Sequence, residues 1–184
     1  MTKDVLFIQG GGEGAYEADG ILAASLQRAL GAGYEVRYPK MPNEETPKLP
    51  AWKTRIATQL STSSGSVILV GHSLGGMALL QYLSEEPLND RVAGLYLVAT
   101  PSRDDVDWNY DELKLPRDIA ERLSGIPRIF LYHSRDDEIV PFAHLALHAG
   151  RLPGAIIRIT DDRGHQFGND LADVAADIRA AARR

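Results

Sequence analysis

The chain of 184 residues has no cysteine, which excludes disulfide bridges and thiolate-held metal sites. It also lacks any long apolar run. The N-terminal one, Val5 to Ile8, ends at Gln9. Four residues are too few for the core of a secretion signal and far too few to cross a bilayer, so a cytoplasmic protein with no membrane partner is expected. No block of Lys or Arg is present and the net charge is -5, so no nucleic-acid partner is expected either. No repeat, linker or low-complexity segment interrupts the sequence, and residues 1–184 read as a single domain. What is present is ordinary for a globular domain: 44% hydrophobic residues, enough to bury a sizeable core at this length.

Short apolar runs alternate with helical stripes. Strands are expected at Val5–Ile8, Tyr34–Tyr38, Val67–Val70, Val92–Ala99, Pro127–Tyr132 and Ala155–Thr160. Between them lie helical patterns at about 17–30, around Trp52, Ile56 and Leu60, at 77–83 with Pro87 as its stop, and at 116–123. A helix starting at Pro141 should turn Phe142, Leu145, Ala146 and Ala149 inward. A final helix carries Leu171, Val174, Ala175 and Ile178 on one face, with Asn169 as a plausible N-cap. Strand–helix alternation throughout implies an α/β protein, a three-layer α/β/α sandwich with a mainly parallel sheet. Ligands then bind at the carboxyl ends of the strands.

The most informative stretch is Val67 to Gly76. Gly71-His72-Ser73-Leu74-Gly75 follows a buried strand and precedes an apolar helix, the context in which G-x-S-x-G is a nucleophile elbow. The apex serine is strained, and its neighbours must be small for strand and helix to approach. A serine hydroxyl needs an imidazole as base and an acid to orient it, and in hydrolases of this architecture they follow in the order Ser, acid, His. Asp137 lies past the fifth strand and His165 past the sixth, so both should share the sheet rim with Ser73.

The chain resembles the α/β-hydrolase superfamily over nearly its whole length, without the two antiparallel strands that usually open that fold. The resemblance rests on Gly71-His72-Ser73-Leu74-Gly75-Gly76, on Ser134-Arg135-Asp136-Asp137-Glu138-Ile139-Val140-Pro141 as the acid loop, and on Gly164-His165 as the histidine loop. The short form, a minimal α/β-hydrolase fold with no room for a cap, is most similar to the small serine hydrolases of the retinoblastoma-binding-protein type. The resemblance implies a serine hydrolase, carboxylesterase-like by default, acting on a small acyl substrate without cofactor or metal. Ser73, Asp137 and His165 are its expected catalytic residues, and the backbone N–H groups of Gly11 and Leu74 its expected oxyanion hole, with Gly12 as the next choice for the first. The Val140-Pro141 anchor favours Asp137 over Asp136, which becomes a solvated residue or an acceptor behind it. Asp104, Asp105 and Asp107, on the preceding loop, are the alternative source of the acid. Two positions depart from the family pattern: Gln9 stands where many relatives have His, and Ser134 where Gly is usual.

The same residues admit other readings. A hydrolase fold used mainly as an interaction module is the alternative function. Gly10 to Ala15 loosely fits a dinucleotide fingerprint, but the strand after it ends in Tyr38-Pro39-Lys40 without the acid that would hold a ribose. His144 and His148, four apart, are expected on a helix surface with no obvious third metal ligand. His72 is expected under the sheet rim and His133 at a strand end. Trp108, Tyr110 and Phe167 are candidates for lining the substrate pocket.

Overall fold

The computed structural model describes residues 2–86, 91–102 and 114–183. Pro87, Trp108, Tyr110, Asp104, Asp105 and Asp107 lie outside them. In chain order the elements are β1 (Lys3–Ile8), α1 (Ala15–Leu30), β2 (Tyr34–Arg37), α2 (Leu49–Ser61), β3 (Val67–His72), α3 (Leu74–Glu85), β4 (Val92–Val98), α4 (Ile119–Arg122), β5 (Ile129–Ser134), α5 (Ala143–Arg151), β6 (Ile156–Thr160) and α6 (Ala172–Ala181). A 3-10 turn at Phe167–Asn169 precedes α6. The six strands form one sheet in the order β2-β1-β3-β4-β5-β6. Every neighbouring pair is parallel.

The sheet is covered because its side chains alternate. Leu6 and Ile8 point to one face and join Trp52, Ile56, Met77 and Leu131 in a core shared with α2, α3 and α5. Val5 and Phe7 point to the other and join Leu22, Leu26, Val174 and Ile178 of α1 and α6. This is the expected three-layer sandwich. The last strand is less covered than an all-apolar run implies: Ile157 and Ile159 are exposed on the sheet edge.

Strand order places the site. From β1 the chain steps outward to β2, then returns past β1 to β3. The two successive crossovers leave a crevice beyond the carboxyl ends of β1 and β3, where open parallel sheets bind ligands. The Gly10–Gly14 loop leaves β1 there, and Ser73 leaves β3 there. Three glycines let the second turn form. A Cβ on Gly71 would stand 2.7 Å from the backbone of Gly76. One on Gly75 would run into the carbonyl oxygens of Ile8 and Gln9, and one on Gly76 into Thr100.

Several boundaries differ from the sequence reading. β5 runs on to Ser134, so His133 is inside the strand. The α6 N-cap is Leu171, and Asn169 sits in the 3-10 turn with φ 59. Asp170 Oδ1 accepts the Ala172 N–H at 3.0 Å and does the capping expected of Asn169. In α5 the buried residues are His144, Leu145 and His148, while Ala146 faces out. The two histidines are thus core residues, not surface ones: His144 Nδ1 accepts the Ser102 N–H at 2.9 Å and His148 Nε2 donates to the Pro101 carbonyl at 2.9 Å. Among the described residues no group of three potential ligands is placed to hold a metal ion.

Candidate active site

Ser73 occupies the single residue between β3 and α3, with φ 50 and ψ -124. A non-glycine residue in that region costs on the order of 1–3 kcal/mol and persists only when its surroundings impose it. Here the Ser73 N–H donates to the Val98 carbonyl at 2.8 Å, and its own carbonyl accepts from Gly76 at 3.0 Å. Those two bonds and the missing side chains at 71, 75 and 76 hold the turn. Ser73 opens α3, so the unpaired N–H groups and positive end of that helix lie beside it.

His165 follows β6 and faces the same cavity as Ser73, a cleft of about 580 Å³. Its Nδ1 bonds to Asp137 Oδ2 at 2.9 Å and Oδ1 at 3.0 Å. That fixes Nδ1–H toward the carboxylate and leaves Nε2 as the basic nitrogen. No hydrogen bond joins His165 to Ser73 among the described residues. Such contacts are often long in unliganded sites and tighten around substrate.

Asp137 has no exposed side-chain surface. Burial alone would raise its pKa, but hydrogen bonds from His133, His165 and the Val140 N–H overcome this and hold it well below the usual carboxylate range. The Oδ1 atom accepts from Ile139 and Val140 at 2.9 and 2.8 Å. Oδ2 stands 3.3 Å from His133 Nε2. Asp136 is turned elsewhere: its Oδ1 accepts the N–H groups of Arg163 and Gly164 at 3.2 and 3.1 Å. It ties the two loops together and does not reach the imidazole. Glu138 adds a bond from the His165 N–H at 3.0 Å.

Across the cleft, the glycine loop lies against the Ser73 turn. A Cβ on Gly10 would come within 3.2 Å of Ser73 Cβ, and one on Gly11 within 2.7 Å of Leu74 Cδ2 and 2.8 Å of Pro47 Cγ. The Gly10 N–H is taken by Asp19 Oδ2 at 2.7 Å and the Gly12 N–H by the Glu44 carbonyl at 2.6 Å. Gly12, the second choice for an oxyanion donor, is therefore committed elsewhere. The N–H groups of Gly11 and Leu74 have no acceptor among the described residues. Gln9, the departure from the family pattern, is wholly buried and braces this loop: its Nε2 donates to Glu44 Oε2 at 2.7 Å and its Oε1 accepts the Met41 N–H at 3.0 Å.

Sequence reasoning missed four supporting residues: Asp19, His133, Glu138 and Gln166. For Asp19 a signal existed, since residues 19, 22, 26 and 30 form the buried stripe of α1 and a carboxylate there needs partners. Its Oδ2 also bonds His72 Nδ1 at 2.8 Å, and its Oδ1 accepts Gln166 Nε2 at 2.7 Å. The buried ring of His72 continues to the His165 carbonyl through Nε2 at 3.0 Å. Phe167, a candidate for the pocket wall, is instead in the core between the sheet, α1 and α6.

The arrangement offers a strained serine, an imidazole with a buried carboxylate behind it, and unpaired backbone donors on one cleft, the parts acyl transfer requires. The chain is 26% identical over 171 residues to the putative hydrolase YdeN of Bacillus subtilis, an alignment covering 86% of this chain and 84% of that protein. The crystal structure of the B. subtilis ydeN gene product superposes with a TM-score of 0.82 at 23% identity, covering all of both chains. The esterase domain of a Rhodothermus marinus protein gives 0.67 at 20% identity, covering 99% of this chain and 87% of that one. These likenesses show the α/β-hydrolase fold. A family described as serine hydrolase matches residues 23–167, a span that takes in the Ser73 turn, the Asp137 loop and His165, and the chain belongs to that family.

Proposed function

We propose that the protein hydrolyses carboxylic esters of small acyl groups through an acyl-enzyme on Ser73. The observation that carries this reading is the His165–Asp137 pair, bonded at 2.9 Å and facing the same cleft as a serine with φ 50. In the first step Ser73 Oγ attacks the ester carbonyl and its proton passes to His165 Nε2. The Gly11 and Leu74 N–H groups receive the charge that develops on the carbonyl oxygen; each such donor contributes on the order of 3 kcal/mol. The tetrahedral species expels the alcohol, which leaves with the proton from His165. Water then attacks the acyl-enzyme, gives a proton to His165, and the acid departs as Ser73 recovers that proton. Asp137 keeps Nδ1–H in place and stabilises the transient imidazolium.

Pro47, Leu49, Leu74 and Ile139 give the cleft an apolar wall, which suits an acyl chain. Ile139 is largely exposed and gains most from a bound chain. We read residues 1–184 as one cap-less domain of the retinoblastoma-binding-protein type, acting in the cytoplasm. The direct test is labelling with a fluorophosphonate. Wild-type protein is expected to take up one equivalent and lose hydrolysis of short acyl esters, and Ser73→Ala to take up none. A wild type that neither labels nor turns over ester would overturn the reading and leave the interaction-module alternative.

A further inference from the structure

Asp19 is 2% exposed and its carboxylate accepts three hydrogen bonds. The donors are the Gly10 N–H at 2.7 Å, His72 Nδ1 at 2.8 Å and Gln166 Nε2 at 2.7 Å. They come from three separate places on the rim: the loop after β1, the last residue of β3 and the loop after β6. Each donor is the immediate neighbour of a residue given a part in the reaction: Gly10 precedes Gly11, His72 precedes Ser73, and Gln166 follows His165. We propose that Asp19 is a positioning residue that sets the oxyanion donor, the nucleophile and the base in register through those three neighbours, with His72 as a doubly protonated link. The inference rests on the serine hydrolase reading of Ser73 and His165.

The charge of the link follows from its acceptors. His72 Nε2 faces the His165 carbonyl at 3.0 Å, and a carbonyl only accepts, so Nε2 carries hydrogen. Nδ1 faces a carboxylate oxygen that also takes the Gly10 N–H. With the Gln166 amide on its other oxygen, the carboxylate takes two donors besides the ring and is ionised, so Nδ1 carries hydrogen too. His72 is then a buried imidazolium whose second N–H fixes the main chain of His165. The rings of His72 and His165 lie 4.8 Å apart.

A buried ion pair is a poor device for stability alone, because well-packed apolar residues of similar volume usually do as well. It is a good device for register, because the geometry fails if any partner is missing. An amide cannot replace the carboxylate. If its oxygen serves Gly10 and His72, the ring loses its counter-ion, keeps one hydrogen, and must abandon either Asp19 or the His165 carbonyl. If its NH2 faces His72, the Gly10 N–H meets a donor.

The test uses the full chain, a short-chain nitrophenyl ester and four variants: Ser73→Ala, Asp19→Asn, Asp19→Ala and Gln166→Ala. Misplacing reacting groups by about 1 Å costs ~100-fold, so Asp19→Asn is expected to lower kcat by about 10- to 100-fold with KM held within about twofold. Gln166→Ala removes one arm of three and should lower kcat about three- to tenfold, again without moving KM; it decides the matter if the Asp19 variants do not fold. Asp19 borders the cleft, so formate can enter the space left by Asp19→Ala. Rescue of kcat by formate in that variant, and none in Ser73→Ala, is the signature of a carboxylate acting in place. A kcat within twofold of wild type in both Asp19→Asn and Gln166→Ala, or a loss expressed in KM alone, overturns the assignment while leaving the hydrolase reading intact. An inactive wild type overturns both.

Discussion

Asp137 shows how one side chain can be bound on every side for a single purpose. Two backbone N–H groups fill Oδ1, and His133 stands by Oδ2, so the carboxylate has one orientation in which to meet His165. Replacing it by Asn keeps the shape and turns a donor toward Nδ1. The imidazole then favours the tautomer with hydrogen on Nε2, which cannot take the Ser73 proton. Steady-state ester hydrolysis by Asp137→Asn should show kcat about 10³- to 10⁴-fold lower, with KM little changed. A loss below tenfold would assign the orienting role to another acid. Of the residues at this scale, Ser73, Asp137 and His165 were legible because each sits in a short run whose spacing is set by backbone geometry. Asp19, His133 and Gln166 were not: Asp19 and Gln166 meet across 147 positions, and His133 depends on a strand that ends two residues beyond its apolar run.

At the scale of elements, the β3–α3 junction has the least slack. Gly75 lies on the carbonyl oxygens at the end of β1, so a methyl group there forces strand and helix apart. Overpacking of this kind costs about 1–3 kcal/mol. For a chain of this size Gly75→Ala should lower Tm by ~2–12 °C, read by calorimetry. Because the same displacement moves Leu74 and Ser73, fluorophosphonate labelling should slow in parallel; an unchanged Tm would mean that the junction relaxes freely. Strand and helix existence was readable from alternation and helical stripes. Which face of α5 turns inward was not. His144 and His148 outrank Ala146 there because their ring nitrogens satisfy backbone groups of the loop after β4, at Ser102 and Pro101. A hydrophobicity pattern cannot register that bargain between polar groups. The N-terminus of α6 misled for a similar reason: both Asn169 and Asp170 can cap, and only the 3-10 turn decides between them.

For the whole molecule, the sequence implied a parallel sheet but not its order. The order β2-β1-β3 is what brings the glycine loop and Ser73 to one crevice. The molecule also buries titratable groups whose opposite shifts shape its stability. Burial pushes His148 down to about 4, against a weaker opposing pull from the Pro101 carbonyl. His72 moves the other way: burial opposes its charge, but Asp19 outweighs it and raises the pKa above the usual value. An unfolded histidine titrates near 6.5. Between about pH 6.5 and 4 the unfolded chain binds a proton at residue 148 that the native state refuses, so acidification destabilises the fold, by on the order of 3 kcal/mol across that window. Above about pH 6.5 the native state holds a proton at residue 72 that the unfolded chain has released. The stabilisation from His72 is complete below that pH and is lost as the pH rises through the raised value. These two groups together place a stability maximum near pH 6.5. Asp19 and Asp137, both lowered, stabilise the fold above about pH 4 and lose that contribution only on further acidification. Urea midpoints measured from pH 4 to 8 should therefore rise, peak and fall. In His148→Gln, which keeps a donor for the Pro101 carbonyl and cannot titrate, the acid side of the peak should flatten while the alkaline side persists. His72→Gln should flatten the alkaline side instead. If His148→Gln keeps the full acid slope between about pH 6.5 and 4, residue 148 is not the group that resists protonation.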